Sequence, residues 1–206
     1  RLTDGFNAYR TAEGEETADG QQADSAVKEP TDGEQASTAE DPEDGEQAYQ
    51  ADDIGDAYGH GTQVASVILD AAGDNVLVVP VIVTDEKGNS SVLSVESGIL
   101  YAAEHADVIN LSLDYTGPDA AAQTFWNEAI DSAITKNVPV VVASGNNSRS
   151  TQYSYPACYE PCWTVGAVDS NLQRATFSNF GSVDFIAPGK GIVCKAIDGD
   201  NKTDRK

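Results

Sequence analysis

The chain has only two histidines, and their settings differ. His60 stands in Tyr58-Gly59-His60-Gly61-Thr62-Gln63-Val64-Ala65, at the head of a run with helical apolar spacing. Glycines on both sides leave room around the imidazole, and a first-turn position points it out of the helix mouth. A general base needs that access, together with a pKa near working pH. His105 falls at the expected end of another helix, where an imidazole is favourable against the helix dipole. Three cysteines, Cys158, Cys162 and Cys194, offer a second chemistry. The Cys158-Tyr-Glu-Pro-Cys162 string has no nearby histidine, so it is a poor zinc motif, and a short-loop disulfide in an oxidising compartment is the expectation. Free buried thiols are the alternative, and Cys194 is left over.

Helices and strands must position these groups. Residues 61 to 72 read as a helix, with Val64, Ala65, Val67, Ile68 and Leu69 clustered on one side. Residues 76 to 83, 107 to 113 and 138 to 143 read as buried strands, with shorter strands near 163 to 168 and 183 to 187. Helices are expected over 91 to 105, with Leu93, Ile99, Leu100 and Ala103 inward, and over 119 to 136, with Phe125, Trp126, Ala129, Ile130 and Ile134. Strands apolar on both faces that alternate with helices predict a parallel sheet covered on both sides. Sites in such sheets form at the carboxyl ends of the strands. That rule points to Ser112 to Asp114 and to Ser144 to Asn147.

The acidity is uneven. Residues 1 to 57 hold 17 Asp or Glu against 3 Lys or Arg, and residues 58 to 206 hold 17 against 9, so the net charge of -22 divides into -14 and -8. In the first segment Leu2, Phe6, Val27 and Ile54 are the only large apolar residues besides tyrosine. Such a segment buries too little apolar area to offset its ordering entropy and reads as a solvated, partly disordered insertion, with the folded unit at 58 to 206. Its weak repeat (Asp19-Gly20-Gln21, Asp32-Gly33-Glu34, Asp44-Gly45-Glu46) reads as low-complexity linker rather than a cation site. The acidity argues against nucleic acid and anionic membrane surfaces as partners, since both need basic patches. No apolar run reaches the length of a membrane span.

Several strings, in order, carry a resemblance. His60-Gly61-Thr62-Gln63-Val64-Ala65 resembles the histidine motif of the subtilisin-like serine proteases. Val108-Ile109-Asn110-Leu111-Ser112-Leu113 resembles the family strand lining the substrate cleft, and Val140-Val141-Val142-Ala143-Ser144-Gly145-Asn146 the strand and turn that present the oxyanion-hole asparagine. Val165-Gly166-Ala167-Val168, Phe177-Ser178-Asn179-Phe180-Gly181 and Ile186-Ala187-Pro188-Gly189 resemble later family strings. The resemblance covers about residues 58 to 194. It implies a three-layer α/β fold with a mostly parallel sheet, incomplete at both ends. It implies His60 as general base and Asn146 as oxyanion donor; without the family context, Asn146 would read as a turn residue. Ser112, Leu113 and Asp114 become the substrate-binding edge, with Ser144 and Gly145 beside it. Many relatives have Gly where Asp114 stands, so that carboxylate either narrows the cleft or faces solvent.

The same resemblance implies a catalytic Asp on a buried strand and a catalytic Ser in Gly-Thr-Ser-Met-Ala. No apolar run precedes residue 58 to supply the first, and the last serine, Ser182, lies before the string that should precede the second. Asp52, Asp53 or Asp56 would be poor substitutes, because the partner must be held rigidly behind His60. The expected function is peptide-bond hydrolysis by a secreted or cell-envelope endopeptidase, with the chain inactive alone and its partners a peptide or protein substrate and the missing segments of its own domain. The alternative is a pseudoprotease that serves as a binding scaffold. No cofactor is expected. Calcium is common in the family, but Asp70-Ala71-Ala72-Gly73-Asp74-Asn75 leaves little room for the usual calcium loop, so no metal ligand is assigned.

Overall fold

A computed structural model describes residues 6–7, 55–115, 120–197 and 201–203. In chain order the elements are β1 (Phe6–Asn7), α1 (His60–Ala72), a 3₁₀ turn (Gly73–Asn75), β2 (Val81–Ile82), α2 (Val92–His105), β3 (Ile109–Leu111), α3 (Ala120–Thr135), β4 (Val140–Ala143), β5 (Trp163–Val168), β6 (Phe185–Pro188), β7 (Val193–Lys195) and β8 (Asn201–Thr203). The main sheet runs β3-β4-β5-β6, all parallel, with Leu111 beside Val142, Ala143 beside Val165 and Val165 beside Phe185. β1 and β2 form a separate parallel pair, and β7 and β8 an antiparallel one.

Parallel neighbours need crossovers, and α3 supplies the one between β3 and β4, while α2 leads from β2 into β3. The two helices pack on each other; α2 also reaches β1, β2 and β3, while α3 covers β4. Ser91 opens α2 with a reciprocal capping box: its hydroxyl accepts from Ser94 N–H, and its own N–H donates to Ser94 Oγ. The buried side of this layer joins Val95, Ile99 and Ala103 of α2 to Trp126, Ala129 and Ile130 of α3 and to Ile109, Leu111, Val140 and Val142 of the strands. Residues on the opposite side of the same strands, among them Asn110, Val141 and Trp163, are half-buried or exposed.

Several expectations are corrected. The strand expected over 76 to 83 shrinks to Val81–Ile82, which pair with Phe6 and Asn7 of β1. The apolar side of α1 is only half-buried, and Val67 is exposed, since this helix packs mainly against the short β7. Leu93 and Leu100 of α2, and Phe125 and Ile134 of α3, face outward. Small residues take the inward positions instead (Gly98, Ala102, Ala129, Ala133) and let helix and sheet approach closely. The expected Cys158–Cys162 disulfide is absent: none of the three cysteines is in a disulfide. Successive turns (Cys158 N–H to Ser154 O, Cys162 N–H to Tyr159 O) put Cys158 on the surface and Cys162 in the core. Burial pushes the Cys162 thiol up to about 12, so it stays protonated. Within the acidic segment, Phe6–Asn7 form a strand, while the three repeat units lie outside the described residues.

Candidate active site

His60 opens α1 and is exposed. Its placement follows from two neighbours. Gly59 takes the left-handed conformation (φ 91°), which costs glycine nothing and turns the chain into the helix. Asp56 then caps the helix from outside: Oδ1 accepts from Gly59 N–H and Oδ2 from Thr62 N–H, both at 2.6 Å. A carboxylate is stabilised there by otherwise unpaired amides and by the positive end of the helix dipole. Burial alone would raise its pKa. The amides of Thr62 and Gly59, with the Thr62 hydroxyl and the nearby His60, outweigh burial and hold Asp56 below the ordinary aspartate value. Both Asp56 oxygens are thus spent on the backbone. Asp52 and Asp53 lie outside the described residues.

The His60 ring reaches across to the end of β3, where Nε2 lies 3.0 Å from Ser112 O. A carbonyl oxygen only accepts, so Nε2 carries a hydrogen in this contact, which in the neutral ring leaves Nδ1 as the acceptor. Ser112 also accepts, at Oγ, from Asn110 Nδ2. Leu113 packs against the core, and Asp114 is exposed. Beyond them Tyr115 pairs with Tyr155 through two backbone hydrogen bonds. Two residues before His60, the Tyr58 ring lies so close over Gly88 that a side chain at Gly88 would collide with it. The Gly88 loop is itself held by Asp85, whose carboxylate accepts from Lys87 N–H, Asn89 N–H and Asn89 Nδ2.

Asn146 follows β4, the neighbour of β3, three residues past its end. The two strands are parallel, so Asn146 and the Ser112–His60 contact lie at the same carboxyl edge of the sheet. Asn146 is exposed, whereas Ser144 and Gly145 before it are buried. Gly145 has φ 97°, and a Cβ there would collide with Asn179 Nδ2 and Ser154 Oγ. Only glycine satisfies both the left-handed backbone and the close approach. The structure therefore gathers His60, Ser112 and the Ser144-Gly145-Asn146 turn along one edge, with Asp114 turned to solvent.

Sequence reasoning missed three supporting residues. Asp56 was visible from its spacing to Gly59 and Thr62, which suits a carboxylate cap. Asp85 stands at the start of Asp85-Glu86-Lys87-Gly88-Asn89, a turn composition that announces side-chain-to-backbone bonding. Asn179 sits in a recognised string, but its partners lie some 30 residues away in sequence, and no local pattern reports them. Among the described residues no group of three or more His, Cys, Asp or Glu stands together as metal ligands. No helix among them is long and apolar enough to cross a membrane.

The geometry has counterparts. The model of the subtilase family matches residues 12–205. A thermophilic serine proteinase from Bacillus sp. (strain AK1) is 40% identical over 149 residues, covering 67% of this chain and 36% of that protein. Subtilisin DY from Bacillus licheniformis is 36% identical over 150 residues, covering 66% of this chain and 53% of that protein. Among solved structures, a cold-adapted subtilisin-like serine proteinase superposes with a TM-score of 0.64 at 34% identity, covering 71% of this chain and 55% of that one. The prenylagaramide maturation protease PagA gives 0.55 at 28% identity, covering 62% of this chain and 47% of that one. The helix-flanked, mostly parallel α/β sheet expected from the sequence is the fold shared with these proteins. The chain spans between about a third and a half of the length of the curated relatives it matches.

Proposed function

The chain belongs to the subtilase family of serine proteases, and from that premise we propose that it is the central part of an endopeptidase domain, with His60 as general base and Asn146 as oxyanion donor. The observation that carries this reading is the convergence of three groups at one sheet edge: the His60 ring on Ser112 O, the exposed Asn146 amide, and the cleft-lining backbone of Ser112 to Asp114. An extended peptide would add alongside residues 112 to 114 by main-chain hydrogen bonds, so recognition would depend little on sequence. Asn146 would donate to the carbonyl oxygen as it gains negative charge in the tetrahedral intermediate.

The nucleophilic Ser and the Asp partner of His60 would come from parts of the protease domain outside these 206 residues. The tautomer supports that reading. A base that takes the serine proton at Nε2 needs its hydrogen on Nδ1, where a carboxylate fixes it. Here Nε2 donates to Ser112 O instead, and among the described residues no carboxylate is hydrogen-bonded to Nδ1. Docking of the Asp would move the hydrogen to Nδ1 and leave Nε2 basic. Before it docks, the chain alone has no triad and hydrolyses nothing by this route. The half-exposed sheet face carrying Val141 and Trp163 fits a domain whose remaining segments pack there.

The substrates would be peptides or proteins met outside the cell or in its envelope, a setting suited to the net charge of -22. The test is His60→Ala in the full-length protein, assayed on a peptide substrate. In subtilisin, loss of the base costs about 10⁶ in kcat, and a loss of that order is expected of this relative. Undiminished turnover would remove His60 from the role. Labelling the full-length protein with a fluorophosphonate separates an active enzyme from a scaffold: only an activated serine reacts.

A further inference from the structure

Asn146 is flanked by peptide groups that lead to one buried residue. Asn179 is 1% exposed. Its Nδ2 donates to Ser144 O at 2.8 Å. Its Oδ1 accepts from Asn147 N–H at 3.0 Å and from Arg149 N–H at 3.1 Å. Its own backbone N–H donates to Gly145 O at 3.0 Å. The backbone before and after Asn146 is thus referred to a single residue. Asn179 is in turn anchored to the sheet through Ser178, whose Oγ accepts from Ala167 N–H of β5 at 3.0 Å and lies 3.3 Å from Ser144 Oγ.

We propose that Asn179 is the positioning residue of the oxyanion donor, an inference that rests on the role given to Asn146 above. Asn179 touches no substrate; it acts by fixing the turn that aims the Asn146 amide. A primary amide is the side chain this position requires, because one end must donate and the other must accept twice. Gly145 belongs to the same device, since its missing Cβ is what lets the turn close onto Asn179. The tolerance is narrow: an oxyanion donor works at about 2.7–3.1 Å, and a displacement of about 1 Å costs on the order of 10²-fold in rate.

The experiment measures kcat and KM on a chromogenic peptide substrate for the full-length protein and for Asn179→Ala, Asn146→Ala and the double variant, with active enzyme counted by fluorophosphonate titration. Asn146→Ala is expected to lower kcat by about 10²–10³. Asn179→Ala is expected to lower it roughly 10- to 100-fold with KM little changed, since the lost contact matters only in the transition state. The double variant is expected to match Asn146→Ala alone. An equal fold-loss on removing Asn179 in both backgrounds overturns the positioning role while leaving Asn146 in place. A parent-like kcat in Asn146→Ala overturns the oxyanion assignment itself. If Asn179→Ala does not fold, Asn179→Asp decides the matter. Its carboxylate can still accept from Asn147 and Arg149, but as an anion it opposes Ser144 O. Protonation restores a donor, so kcat relative to the parent must rise as pH falls; a flat ratio overturns the proposal.

Discussion

The chain has two tryptophans, and they occupy contrasting halves of the molecule. Trp126 projects from α3 into the core, 4% exposed, tilted against Tyr115 and Tyr155, with its indole N–H donating to Val92 O. Trp163 stands on β5 at 47% exposure, with Phe185 of β6, itself 53% exposed, as its ring partner. Both come from strongly apolar segments, so composition does not separate them. What separates them is the partner layer: α2 and α3 close over one face, and the described residues leave the other half open. Burial is decided by which surfaces meet, and only the closed half has the contacts of a finished core.

The largest expected effect tests that closed half. Trp126→Ala removes the aromatic centre of the cluster and leaves a cavity among Tyr115, Tyr155 and the helices. A loss of about 3–5 kcal/mol is expected from chemical denaturation. A loss below about 1 kcal/mol would mean that this layer is not the organising core.

Gly145→Ala comes next, at the junction of core and candidate site. It combines a strained left-handed backbone with a collision against Asn179 and Ser154. About 1–3 kcal/mol of stability is expected to go, with a fall in turnover of the full-length protein, because the turn bearing Asn146 must open. A stable variant with full activity would show that the turn closes some other way.

The closed half was largely legible before any coordinates. Ile99, Ala103, Trp126, Ala129 and Ile130 were expected inward and are buried, since helical spacing reports which residues share a face. The same rule failed at Leu93, Leu100, Phe125 and Ile134, because it cannot tell how wide the covered stripe is. It failed across α1, because half-burial depends on a neighbour that the spacing does not reveal. At the candidate site, His60, Ser112 and Asn146 were legible as residues after strands or opening a helix. Asn179 was not, since its role consists of long-range hydrogen bonds to backbone groups that carry no sequence identity, whereas the Asp85 loop had a local turn signal that went unused. The disulfide expectation failed for a related reason: spacing brings Cys158 and Cys162 close along the chain, while two turns send one out and one in.

Asp56→Ala probes the support of the candidate base. Loss of a helix cap of this kind costs about 1 kcal/mol. The pH dependence follows from the direction of the shift. The folded pKa lies below the ordinary 3.8, so the carboxylate's contribution is complete above that value and disappears as pH falls through the folded pKa. The stability gap between Asp56→Ala and its parent should therefore be constant near neutrality and close in acid. A gap that persists at low pH would assign the effect to packing rather than to the charged cap.

The smallest effect belongs to the open half, and it sharpens the comparison most. In the 206-residue chain, Trp163→Ala should change stability by no more than about 1 kcal/mol, because the ring keeps much of its water contact and loses mainly its tilted pairing with Phe185. The fluorescence of Trp163 should be readily quenched by iodide, while that of Trp126 is protected. In the full-length protein the proposed function requires that face to be covered. The same substitution should then cost several-fold more, toward the roughly 3–5 kcal/mol of a buried tryptophan, and the iodide-accessible fraction should fall. Equal costs and equal quenching in the two contexts would mean that nothing packs on this face, and the idea of a domain completed there would fail while the protease fold of the closed half stood.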